Sequence, residues 1–252
     1  MLLLLKLLVA PALVGAVTLA VRRWGPAVGG WLSGMPVVAG PVLVFMSMEQ
    51  GTTFGAEAAH ATLTGLIGTV AFALTYARLS VRTPWYRCLL LGWVTFGVTT
   101  GVLYLLDPPL LLSLAGLIAT TIVGPRFLPA AEAAAAPVGS PRGDLRLRLV
   151  ATATLVLVLT AVADELGPTV SGLLNAFPVL STIITAFTHA QHGSGPTIAF
   201  VRGFTRSIIG FGSFAFVLAI TMVPLGLGRA LVLAMVAQIA VSGITLRRSR
   251  RA

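Results

Sequence analysis

Apolar residues run for roughly twenty positions at a time along this chain, and polar residues gather in short clusters between the runs. At roughly 1.5 Å of helix rise per residue, a run of that length matches the hydrocarbon thickness of a bilayer, so each predicts a membrane-crossing helix. The pattern predicts helices over about 2–21, 26–48, 55–78, 86–106, 108–124, 146–166, 168–190, 197–223 and 228–246. Pro108 and Pro109 open the fifth tightly against the fourth, and it is short for a full span. The stretch FLPAAEAAAAPVGSPRGD after it reads as a linker, because alanine, proline and small polar residues replace the apolar run.

Two stretches interrupt the pattern in the same way. GPAVGGWLSGMP runs from Gly25 to Pro36 and GPTVSGLLNAFP from Gly167 to Pro178, at an offset of 142 that carries Gly25 onto Gly167. The offset holds without a gap through Phe45 and Phe187, Gly51 and Gly193, Gly68 and Gly210, Phe72 and Phe214, and reaches Arg87 and Arg229. Such a register predicts an internal duplication: residues 1–106 as a first set of four helices, 146–252 as a second, and 107–145 as a connector helix with its linker. Corresponding helices lie five spans apart, an odd number, so the two copies are expected to cross in opposite directions. The expected fold is an all-α polytopic membrane protein of about nine helices in two inverted-topology repeats.

Composition agrees with a bilayer setting. Hydrophobic residues make up 57% of the 252 and charged residues 10%, against about 25% charged in soluble domains. The net charge of +10 comes from arginines between apolar runs, which positive-inside insertion explains without nucleic acid. With the N-terminus outside and the C-terminus inside, one face receives Arg22, Arg23, Arg78, Arg82, Arg87, Arg126, Arg142, Arg146, Arg148, Arg202, Arg206 and the basic tail. Lys6 and Arg229 fall on the other. Arg22 and Arg23 follow the first apolar run instead of preceding it, so that run is expected to be a retained helix. The expected location is the cytoplasmic membrane of a bacterium, with a homodimer as a candidate assembly. The single cysteine, Cys88, has no partner for a disulfide.

Pro36 and Pro178 fall near the middle of the second and seventh helices, where a proline removes one backbone hydrogen bond and leaves a carbonyl to be satisfied by protein, water or ligand. Interrupted helix pairs in inverted repeats are where transporters hold substrate. The candidate substrate residues there are Ser33, Pro36, Gly40, Asn175, Pro178, Ser181, Thr182 and Thr185; Gly30 with Gly34, and Gly172 with Ala176, also suit a small-residue packing seam between the two helices. Ionisable groups cluster at helix ends. Glu49, Glu57 and His60 are the candidate proton-coupling residues, Glu57 and His60 one turn apart. His189, His192, Arg202 and Arg206 gather at the opposite end as candidates for drawing in an anionic or polar substrate. Two histidines alone fall short of a zinc site, and no other cofactor is expected.

The leading expectation is therefore a small secondary transporter or exporter working by alternating access on a small molecule or ion and coupled to protons. Two other classes fit the same composition: an intramembrane lipid-handling protein or enzyme with His189 or His192 as base, and a channel or assembly subunit. Saturable, proton-coupled flux marks the first, turnover of a lipid substrate the second, and ohmic conductance the channel.

Overall fold

The computed structural model describes residues 2–36, 39–130, 143–163 and 175–249, and among these the chain is helical with no strand. The GPTVSGLL half of the second broken phrase, Asp164, Glu165, most of the alanine-rich linker with Arg142, and Arg250 and Arg251 lie outside the described residues. The helices are α1 (Leu2–Trp24), α2 (Pro26–Ser33), α3 (Ala39–Gln50), α4 (Thr52–Leu79), α5 (Trp85–Leu106), α6 (Leu110–Val123), α7 (Asp144–Ala163), α8 (Val179–His192) and α9 (Ser194–Ser249). A 3-10 turn, Gly124–Phe127, extends α6. Thr52–Leu79, Trp85–Leu106, Leu110–Phe127 and Ser194–Thr245 are each long and apolar enough to cross a membrane, the build of a membrane-embedded protein.

Local chemistry sets the helix ends. The expected second helix is two helices, because the stretch Gly34–Met35–Pro36 departs from helical geometry and Pro36 has no N–H to continue the ladder. The carbonyl that proline was expected to leave open is in fact used: Met35 N–H donates to Leu32 O at 3.3 Å, in a tightened last turn. Gly51 and Gly193 join α3 to α4 and α8 to α9 without a loop, at φ 93° and 78°, values that favour glycine because no Cβ opposes them. The last two expected helices form one helical run that bends at Gly226, with Pro224 just before it.

Packing centres on α4. In its apolar window 78% of residues are buried, against 17% for α5 and 17% for the α6 segment. Leu63, Leu66, Val70, Phe72 and Tyr76 of α4 join Phe200, Ile208, Phe214 and Leu218 of α9 in one apolar cluster. The outer helices turn Leu90, Val94, Val98, Leu111, Leu112 and Ile122 outward, a surface suited to hydrocarbon contact.

Of the seam expected between the second and seventh helices, Gly172 lies outside the described residues, while Gly30 and Gly34 lie against α9. A Cβ on Gly30 would stand 1.9 Å from Phe200 O, and one on Gly203 would stand 1.9 Å from Ala27 O. Gly30 and Gly34 thus press α2 onto α9, backbone to backbone. Two further contacts repeat at the 142 offset: a Cβ on Gly68 would meet Thr100 Oγ1 at 2.4 Å, and one on Gly210 would meet Ser242 Oγ at 2.3 Å.

Candidate functional site

The residues that flank the two proline breaks are joined by hydrogen bonds. Asn175 donates its side-chain N–H to Ala39 O at 3.3 Å and to Thr62 Oγ1 at 3.4 Å, joining the second break to the start of α3 and to α4. Next to it, Thr69 Oγ1 of α4 donates to Ala176 O. Pro178 sits at φ −77°, ψ 56°, and Val179 N–H donates to Phe177 O across it at 2.8 Å, an inverse γ-turn. At the second break Ala176 O is thus taken up by the opposite half of the chain and Phe177 O by a local turn.

The other predicted residues of this region support the breaks. Ser33 donates to Gly29 O at 2.9 Å, Ser181 to Pro178 O at 3.2 Å, and Thr185 to Ser181 O at 2.5 Å. Pro36 O accepts from Gly40 N–H at 2.8 Å, and Gly40 lies against the Phe214 ring. Thr182 Oγ1 accepts from Trp93 Nε1 at 3.2 Å, while the Phe177 ring lies tilted against Trp93 and edge to face with Phe96, with centroids 6.1 and 5.2 Å away. Thr62, Thr69 and Trp93 escaped the sequence reading because nothing in their own segments differs from an ordinary apolar helix.

The predicted proton residues share one end of the bundle without sharing a contact. Glu49 and Glu57 are exposed. His60 turns to the α5–α6 corner, its Nε2 lying 3.1 Å from Pro108 O and 3.5 Å from Ser113 Oγ. At the opposite end, His189 Nδ1 lies 3.4 Å from the Tyr76 hydroxyl, and the two rings meet edge to face. Arg202, expected to draw in a substrate, donates to Pro129 O at 2.9 Å and ties it to the segment after α6. Arg206 is exposed. Among the described residues no group of three possible ligands could hold a metal ion.

That same end holds an ionic cluster that the sequence reading treated only as boundary charge. Asp144 Oδ2 accepts from Arg148 Nε at 2.8 Å and from Arg22 Nη2 at 3.0 Å, and Gln191 Nε2 donates to Asp144 Oδ1 at 2.5 Å. Asp144 and Arg148 are each 3% exposed, and the Arg148 guanidinium lies 4.9 Å from the Phe187 ring centroid. Burial pushes the Asp144 carboxyl up, but the donors Gln191, Arg148 and Arg22 outweigh it and hold the group below its ordinary value. The signal in the sequence was the spacing of Asp144 and Arg148 at i and i+4, one face of a helix start. No family model matches the chain, and no curated protein and no solved structure does so either.

Proposed function

We propose that this chain is a small secondary transporter working by alternating access, built from two inverted four-helix repeats over residues 1–106 and 146–252, with the connector 107–145 between them. The N-terminus is outside and the C-terminus in the cytoplasm, and the substrate path runs between the breaks at Pro36 and Pro178. The observation that carries this reading is the meeting of the breaks through Asn175 and Ala39. Each break also rests on the long helix of the other half, Gly34 against Ser207 of α9 and Ala176 against Thr69 of α4. Interrupted helix pairs that meet in this way suit the arrangement in which inverted-repeat transporters exchange inward-open and outward-open states.

Further support comes from features that recur at the offset: the left-handed junctions Gly51 and Gly193, and the contacts of Gly68 with Thr100 and Gly210 with Ser242. In this reading Glu49, Glu57 or His60 carries the coupling proton, and the substrate is a small molecule or ion. The test is flux into liposomes holding the purified protein under an imposed pH gradient, followed by a pH-sensitive dye against pools of metabolites and ions. Substrate-dependent proton movement lost in Glu49→Gln or Glu57→Gln supports the reading. Silence across all pools with folded protein overturns it and favours a lipid-handling role.

A further inference from the structure

The ionic cluster borders a cavity of about 10 Å³, room for one water-sized particle, whose walls include Thr18, Arg22, Arg148, Thr188, His192 and Pro196. Its chemistry is one-sided. Asp144 spends Oδ2 on Arg22 and Arg148 and Oδ1 on Gln191, so two guanidinium groups face one carboxylate and the cluster carries one net positive charge. Thr18 is 2% exposed and its Oγ1 has no hydrogen-bond partner, nor has the buried Nε of Arg22. Both residues line the cavity.

Buried donors without acceptors are costly unless an acceptor occupies the space between them. Water would satisfy the donors and leave the extra charge to solvent, which reaches the 32% exposed Arg22 side chain. An anion bearing a single charge satisfies the donors and neutralises the cluster as well, and the size of the cavity limits it to one atom or little more. We propose that this cavity binds one halide-sized monovalent anion, held by the Thr18 hydroxyl, Arg22 Nε and the Arg148 guanidinium. Binding at this site does not depend on the transport reading.

The test is equilibrium binding of radiolabelled chloride to the purified full chain in detergent, at constant ionic strength with isethionate as the replacing anion. Thermal unfolding is followed in the same two salts. Wild-type protein should bind chloride saturably, one per chain, and unfold at higher temperature in chloride than in isethionate. Thr18→Val, which keeps the shape and removes the hydroxyl, should weaken binding about tenfold and shrink the difference between the salts. Arg22→Gln should abolish saturable binding; should that variant fail to fold, Thr18→Val alone decides. Absence of saturable chloride binding overturns the proposal. So does a Thr18→Val variant that binds as wild type, or one that gains the same stability in both salts, which would mark an orphan hydroxyl beside a water.

Discussion

Asn175 donates to Ala39 O at 3.3 Å, and the two residues flank different proline breaks from different halves of the chain. Replacing Asn175 by Ala removes the link without touching either break, so stability should fall by only about 1 kcal/mol. Flux should fall much further, because the relative position of the two breaks is no longer held. Unfolding in detergent and flux in liposomes, measured on one preparation, separate the two effects; proportional losses would reduce Asn175 to a packing residue.

Pro36→Ala and Pro178→Ala should impair flux more than folding, since each restores an N–H that lets the interrupted helix close. Expression and thermal stability near wild type with slowed transport is the expected outcome. Equal loss of both would make the prolines structural.

Asp144→Asn leaves Arg148 buried without its counter-charge, and such a loss costs about 3–5 kcal/mol. Arg22 contributes less, because its side chain is 32% exposed and its charge is screened. The double change Asp144→Leu with Arg148→Met should recover most of the loss, as apolar replacement of a buried pair often does. Denaturant unfolding of the single and double variants checks this, and a single variant as stable as wild type would refute it.

The same carboxylate predicts an acid limb. Its pKa is lower in the folded chain than the unperturbed 3.8, so it adds stability that is fully present above that value and fades as pH falls through the folded pKa. Melting temperature against pH should therefore drop below about pH 4 in wild type. In Asp144→Asn the curve should start lower and lose this component, and parallel curves for the two proteins would exclude the assignment.

Gly68→Ala and Gly210→Ala should each cost about 1–3 kcal/mol by overpacking against Thr100 and Ser242. Thr100→Ala and Ser242→Ala should rescue their own partners and not the other's. A double-mutant cycle for each pair measures this, and rescue across the pairs would show that the losses do not arise at these contacts.

The sequence by itself determined where helices lie and where they are interrupted. Apolar length, Gly51 and Gly193 between helices, and Pro36 and Pro178 within them act through the backbone of their own neighbourhood, so they can be read position by position. Their partners could not be read in this way. That Gly30 presses on Phe200 of α9, that Thr69 closes the carbonyl of Ala176, that Arg148 is buried on Asp144 while Arg202 ties down Pro129, follows from the placing of whole helices. Every contact along a helix shares in that placement, so tertiary packing alone decided which ordinary threonine meets a stranded carbonyl and which arginine leaves water.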